Sequence, residues 1–298
     1  MDATTVVTRR TTAARLLGPQ GGHERRRAFV DRLMRVVALA AAIVAIVPLV
    51  AIVGYVLARG LPTLTIDFLT HSSGDTTSPG ALNAILGSLQ MVPLALLIGG
   101  VLGLLAGIYL SEYAGPRMAA GGTFLVDVLL GVPSILAGIL LYSTIVTYVT
   151  GSSAIAGSLA LAVIMFPIVI RSTEEVLRLV PGSIREASLA LGLPRWRTIV
   201  SVVMPVARAG LLTGAMLAFA RGFGETAPLL FTARGSEALN VGDWGTTMAA
   251  LPLFVYQYSR LPDKFYVSQA WSAAIVLLAI VLVINVIVRG RSVGSRVE

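Results

Sequence analysis

Long apolar runs separated by short polar segments dominate this chain. Six runs are long enough to cross a bilayer, which takes about 20 mostly apolar helical residues. They cover residues 36–58, 83–110, 124–148, 154–176, 207–232 and 268–288. The pattern predicts an all-α polytopic membrane protein with six transmembrane helices, in which residues 36–298 form the transmembrane domain.

One polar interruption, between the fourth and fifth runs, has an internal pattern. Ser183 and Glu186 have the S-x-x-E spacing of a capping box, which predicts a short helix beginning near Ile184. Gly192 stands where a left-handed residue would end that helix, and Pro194 stands where the next helix could begin. The segment is therefore predicted to be helix, tight turn, helix.

The predicted first helix of this segment has a small-residue surface with charge around it. The small residues are Ala187, Ser188 and Ala190, and the arginines expected at the rim are Arg185, Arg195 and Arg197. A surface of this kind suits insertion into a groove on another protein.

Composition agrees with a membrane protein and limits the chemistry available. The chain is 56% hydrophobic and only 13% charged, with a mean hydropathy of +0.84, which excludes an ordinary soluble domain. It has no cysteine, and its histidines, His23 and His71, lie outside the apolar runs, so we predict no catalytic residue and no metal site. The single lysine, Lys264, is not part of a phosphate-binding glycine loop. If ATP is used, another subunit must hydrolyse it.

The arginines predict the orientation of the chain. Residues 1–35 form an Arg-rich tail, predicted to be disordered and cytoplasmic. With the N-terminus inside, eighteen basic residues fall on the inner side and four on the outer side, as the positive-inside rule requires. Both termini are then cytoplasmic. Because the arginines flank the spans, they do not indicate binding to nucleic acid.

Two charges lie inside the fifth apolar run. Arg221 and Glu225 are four residues apart and so share one helix face. A buried arginine is costly in a membrane, and its N–H donors suit an oxyanion. Arg221 could therefore contact an anionic solute, with Glu225 holding the guanidinium, or the two could form an ion pair that only joins helices. Thr226 adds a hydroxyl, and Pro228 a possible bend.

Other residues of the runs have packing or pairing interpretations. Asp127, at the inner end of the third run, could pair with a basic residue of the cytoplasmic face. Arg171, in the fourth run, is a further candidate site residue. Pro133 is expected to kink the third run. Small-residue stripes in the second and fifth runs predict close helix packing; they are Gly99, Gly103 and Gly107, and Gly210, Gly214, Ala218 and Gly222.

The polar interruption resembles the EAA loop of permeases from ATP-binding-cassette (ABC) importers, whose pattern is E-A-A, three residues, G, nine residues, I-x-L-P. Every spacing is kept, and the departures are Ser188, Val202 and Met204. We call residues 178–205 the EAA loop. The resemblance implies an ABC type-1 permease fold and assigns coupling to a partner ATPase to Glu186, Ala187, Gly192, Arg195 and Pro205.

Further motifs resemble the phosphate permeases of this class. They are GVPS at 131–134, IRSTEEVLRLVP at 170–181 and RGFGETAPLLFTA at 221–233, within a similarity that covers about residues 81–289. The resemblance implies phosphate import across the bacterial inner membrane, with Arg221, Glu225 and Thr226 on the translocation path. It also implies a heterodimer with the sister permease PstC, an ATPase dimer (PstB) that binds ATP and Mg²⁺, and an external phosphate-binding protein (PstS).

Alternatives remain at this point. Within the class, the solute could be another oxyanion such as sulfate or molybdate. Outside it, an ATP-independent channel or carrier would have no use for the patterned loop. An intramembrane enzyme would need a catalytic motif that is missing from the sequence. A DNA reader would have its helix-turn-helix tethered to the bilayer at both ends.

Overall fold

The computed structural model describes residues 21–294, and helices make up most of them. In chain order the helices are α1 (Gly21–Gly60), α2 (Ile66–Thr70), α3 (Leu82–Tyr113), α4 (Pro116–Gly131), α5 (Ser134–Thr150), α6 (Ala154–Arg178), α7 (Gly182–Ala190), α8 (Arg195–Phe223), α9 (Ala227–Thr232), α10 (Leu251–Tyr258) and α11 (Lys264–Gly294). Within residues 21–294 there is no strand, only an isolated bridge between Arg234 and Met248. The predicted all-α class is confirmed.

The chain divides into two compact units, one up to Tyr55 and one from Val56 onward. Helix α1 begins at Gly21, so residues 21–35 are helical, contrary to the prediction that the whole tail is disordered. Its charged first turns contain an Asp31–Arg35 pair at 3.1 Å with the i,i+4 spacing that supports a helix. Residues 1–20 of the predicted tail lie outside the described residues.

Five of the described helices are each long and apolar enough to cross a membrane, and a sixth span exists if α4 and α5 are counted together. The third apolar run is not the single kinked helix that the sequence predicted, because α4 and α5 meet at 92°. At the break, Val132 and Pro133 both have extended backbone, with ψ of 129°. Proline lacks an N–H and disfavours helical geometry in the residue before it, which accounts for the break.

The fifth span is displaced toward the N-terminus of its predicted range. Helix α8 starts at Arg195, twelve residues before the predicted start of the span at 207, and ends at Phe223. Its first turns are therefore the second half of the EAA loop. The bend expected near Pro228 is present as a break at Gly224–Thr226, after which Pro228 lies in the first turn of the short helix α9.

Helix α6 lies between the two glycine stripes. Gly99, Gly103 and Gly107 of α3 face it on one side, and α8 presents its own stripe on the other. A Cβ atom added at Gly107 would lie 2.6 Å from the Cβ of Thr173, so only glycine permits this approach. The prediction of close packing at both stripes is confirmed.

Aromatic residues between α2 and α11 form a packed cluster. Phe254 is buried and stacks on Tyr258 with ring centroids 3.9 Å apart, while Phe68 and Tyr266 pack edge-on against these two rings. Burial raises the pKa of Tyr258 above its usual value. Phe254 therefore packs inside the protein and is not part of its surface.

Candidate functional site

A cavity of about 750 Å³ lies between α6, α8 and the break that joins α4 to α5. Its wall is mostly apolar, built from leucine, isoleucine, valine and proline. The polar side chains on the wall are Ser134, Arg171, Ser172, Glu175 and Arg221. The side chains of the wall itself thus comprise two cations and one carboxylate in a largely apolar surround.

Arg221 lies near the end of α8, and its side chain is 57% exposed. Its Nε is 2.7 Å from Oε1 of Glu225, whose side chain is only 9% exposed. Glu225 therefore holds one edge of the guanidinium from beyond the helix end, while the charged group still lines the cavity. Thr226 directly precedes α9 and is not part of the cavity wall.

Arg171 of α6 lies in the same cavity, surrounded by carboxylates. Its Nε is 2.8 Å from Oε1 of Glu175 and 3.7 Å from Oδ1 of Asp127, and its Nη1 is 3.6 Å from Oε2 of Glu174. Asp127 thus pairs with a basic residue as predicted, although it does not line the cavity. The structure brings Arg171 and Arg221 to one cavity and leaves Asp127 and Thr226 outside it.

The antiparallel packing of α6 and α8 gives the spacing of these arginines. Gly222 packs against Met165, and Gly214 against Ser172, so Arg171 lies level with residues 215–216 of α8. Arg221 is five to six residues further along, which at 1.5 Å per residue is about 8–9 Å along the helix axis. The two cations are therefore stacked along the cavity rather than side by side.

Glu174 is fully buried beside this cavity. Its Oε1 accepts a hydrogen bond from Thr123 at 2.6 Å and pairs with Arg178 at 2.5 Å. Its Oε2 has no hydrogen-bond partner. Adjacent cations stabilise a buried carboxylate, so Glu174 holds Arg178, and more distantly Arg171, at the end of α6 that leads into the EAA loop.

The EAA loop has the predicted helix-turn-helix form, but the capping box is absent. Helix α7 begins at Gly182 after Pro181, with no side-chain cap. Ser183 is therefore inside the helix, because the fixed φ of Pro181 sets the start earlier. Gly192 has φ of +81°, which confirms its left-handed turn, and Pro194 immediately precedes α8.

Arg185 does not form the predicted charged rim. Its guanidinium binds both oxygens of Glu112 in α3, with the shortest contact at 2.6 Å, and donates to the carbonyls of Leu177 and Val180. Glu112 is only 7% exposed. The pair thus ties the EAA loop to the ends of α3 and α6.

Arg195 is held at the same place. It donates to the backbone carbonyl of Glu112 and lies over the ring of Tyr113. Ser188, expected on the open small-residue surface, is buried, with its Oγ 3.0 Å from Oγ1 of Thr198. Arg195 therefore ties the EAA loop to the end of α3, and the Ser188–Thr198 contact joins α7 to α8 within the loop.

The remaining predicted coupling residues of the EAA loop are exposed. Glu186, Ala187 and Gly192 lie on its open surface, together with three large apolar side chains, Leu189, Leu191 and Trp196. Pro205 is exposed further along α8. An exposed apolar surface of this kind is typical of a protein–protein contact.

Three acidic residues were not predicted from the sequence to have a role, two at the cavity and one at the contact between α3 and the EAA loop. Glu174 and Glu175 stand three and four residues after Arg171, a spacing that could have indicated their pairing on one helix face. Glu112 offered no such signal, since its partner Arg185 is 73 residues away.

The comparisons with known proteins agree with this architecture. Residues 99–290 match the family model described as binding-protein-dependent transport system inner membrane component. In structure, the chain is similar to a chain of the MetNI methionine ABC transporter in an inward-facing conformation. That chain has a TM-score of 0.59 and 20% identity, over 72% of this chain and 94% of that one. The structural likeness shows the ABC importer permease fold.

Relatives with assigned names show which kind of permease within this family the chain resembles. Phosphate transport system permease protein PstA of Pasteurella multocida is 42% identical over 78% of this chain and 83% of its own length. The proteins of the same name from Mycobacterium leprae and Xylella fastidiosa are 41% and 43% identical, over 82% and 77% of this chain and 82% and 80% of their own lengths. This chain belongs to the binding-protein-dependent inner-membrane permeases, in the family of these phosphate transport permeases.

Proposed function

We propose that this chain forms half of the membrane channel of an ATP-driven phosphate importer. The observation that carries the proposal is the exposed guanidinium of Arg221 in an otherwise mostly apolar cavity between membrane-crossing helices. An arginine presents several N–H donors and keeps its charge, so it can replace part of the hydration shell of an oxyanion. The names of the curated relatives support phosphate as that oxyanion.

The partners follow from the same proposal. The sister permease PstC completes the channel, a PstB dimer hydrolyses ATP with Mg²⁺, and the binding protein PstS delivers phosphate from outside. The complex lies in the bacterial cytoplasmic membrane with both termini of this chain inside, an orientation supported by the excess of arginine on that side.

The EAA loop is the proposed contact with the ATPase. Leu189, Leu191 and Trp196 offer apolar surface for docking, and the left-handed turn at Gly192 sets the angle between α7 and α8. Arg185 and Glu112 pass movement of the loop to α3 and α6, because a buried bidentate pair cannot slip without losing its hydrogen bonds. Closure of the ATPase dimer would then move the helices around the cavity.

Reconstitution of the four components in liposomes tests this proposal. ATP-dependent uptake of phosphate, but not of sulfate or molybdate, is expected. The variant Arg221→Gln should assemble with the same partners yet lose most uptake, whereas Arg117→Gln, at an exposed arginine in the first turn of α4, should transport normally. Preferred uptake of sulfate or molybdate would assign another oxyanion. Uptake that needs no ATP would refute the importer model, and unchanged uptake by Arg221→Gln would leave Arg221 with only a structural role.

A further inference from the structure

The cavity contains a carboxylate that an anion path does not obviously need. Among the described residues of its wall, Glu175 is the only acidic side chain, and it is 60% exposed. A carboxylate repels every anion that approaches it, so its presence beside Arg171 calls for a functional explanation. The ion pair with Arg171 uses Oε1 of Glu175, and a carboxylate accepts hydrogen bonds on both oxygens.

The charge around Arg171 strengthens the argument. The carboxylates of Asp127, Glu174 and Glu175 all lie within 3.7 Å of its guanidinium. Arg178 offsets one of them through its pair with Glu174. The cluster of three carboxylates and two arginines has a formal charge of −1, whereas Arg221 has a single carboxylate partner among the described residues. An anion that passes from the level of Arg221 to that of Arg171 therefore moves toward net negative charge.

Oxyanions differ in whether they can donate a hydrogen bond to the Glu175 carboxylate. Inorganic phosphate and arsenate carry at least one acidic O–H near neutral pH and can donate it to a carboxylate oxygen. Sulfate and molybdate have no O–H under these conditions. Their negatively charged oxygens would face the carboxylate oxygen of Glu175 and be repelled by it. An acceptor that is matched only by a donor on the solute discriminates against an analogue that lacks the donor, and the discrimination grows as water is excluded from the site. Glu175 is exposed in this chain alone, so this discrimination requires that the sister permease encloses the cavity wall in the assembled channel.

We propose that Glu175 is a specificity-determining residue of the path, which admits oxyanions that carry a proton and rejects those that do not. The proposal rests on the proposed function in phosphate import and adds a selection step within the membrane. Arg221 attracts the anion, and Glu175 accepts the hydrogen bond from its O–H. Arg171 fixes the position of the Glu175 carboxylate.

The test uses the complex of this chain with the sister permease and the ATPase, without the external binding protein. Binding of inorganic phosphate is followed from broadening of its ³¹P resonance, and arsenate, sulfate and monofluorophosphate are added as competitors. Monofluorophosphate has nearly the shape of hydrogen phosphate and the same charge, but no O–H. In the wild-type complex, arsenate should compete well, and sulfate and monofluorophosphate poorly.

Variants of single carboxylates then test whether Glu175 is the residue that discriminates between the anions. In Glu175→Gln, competition by sulfate relative to arsenate should rise by about tenfold or more. Glu175→Asp keeps an acidic acceptor and should retain the wild-type order. Asp127→Asn is the matched control, because it removes one negative charge beside Arg171 without changing the cavity wall. It should strengthen the binding of all these anions alike, so the competition ratios should equal those of the wild type.

Two results overturn the role of Glu175. One is an unchanged ratio in Glu175→Gln, and the other is monofluorophosphate competing as well as arsenate in the wild-type complex, a measurement that does not depend on the folding of any variant. Failure of the proposed function would look different, since the full complex would then not import phosphate with ATP at all. A complex that imports phosphate but shows either overturning result loses only this inference.

Discussion

The pair between Arg185 and Glu112 gives a sharp prediction about what holds the EAA loop. Replacing Arg185 with Met keeps the length of the side chain but leaves a 7% exposed carboxylate without its cation. Breaking a buried ion pair from one side costs about 3–5 kcal/mol. The upper part of that range is expected, because the carbonyls of Leu177 and Val180 lose donors as well.

Denaturant unfolding of the purified complex, followed by tryptophan fluorescence, measures this cost. Trp196 lies in the first turn of α8 and is 61% exposed, so it reports on the loop. The matched control is Arg197→Met, the same change at an exposed arginine of the same loop, which should alter the free energy of unfolding by no more than about 0.5 kcal/mol.

A double-mutant cycle decides whether the pair itself is responsible. Glu112→Leu combined with Arg185→Met removes both charges, so the double variant should be more stable than the sum of the single effects predicts, by about 1–3 kcal/mol. Additive effects, or a loss below about 1 kcal/mol in Arg185→Met alone, would refute the conclusion that this pair fixes the loop.

Two further predictions concern glycines. Gly192→Val should cost about 1–3 kcal/mol and weaken copurification of the ATPase, because φ is +81° while no atom lies within 4 Å of the added Cβ. Gly182→Val, at an equally open site with ordinary φ, should retain the ATPase, and equal behaviour of both variants would contradict the role of the turn. Gly214→Val should destabilise the complex by about 1–3 kcal/mol through contact with the Ser172 side chain, and Ser172→Gly should recover part of the loss. Gly121→Ala, at an open site in α4, should be neutral or slightly stabilising in the same unfolding assay; a similar loss there would contradict the steric explanation.

The sequence predicted most of the membrane-crossing helices because apolar runs depend on local composition. Helices α3, α6 and α11 begin and end within a few residues of their predicted ranges, apart from the extension of α11 to Gly294. The right angle between α4 and α5 was not predictable from Pro133 alone, since a proline inside an apolar run is compatible with anything from a mild kink to a full break.

The cavity and its charged residues were only partly predictable, because they depend on how separate helices pack as well as on local sequence. Arg221 and Glu225 were visible because charges four residues apart in an apolar run are unusual. The cavity that joins Arg221 to Arg171 depends on how α6 and α8 pack, which the glycine stripes indicate only in part. The start of α7 shows the reverse case, in which a convincing local motif at Ser183 was overridden by Pro181 two residues earlier.

The position of α6 between two glycine stripes has a consequence for biosynthesis. The ribosome delivers α3 long before α6, and α8 last of the three, so the stripe of Gly99, Gly103 and Gly107 faces lipid or an insertion factor until the fourth span is made. Contact with lipid stabilises a glycine stripe only a little, because the stripe stabilises the protein by letting another helix approach closely. A nascent chain that ends before Ala154 therefore lacks the helix that covers this stripe, and membrane proteases and chaperones that monitor unassembled helices would encounter it in that form.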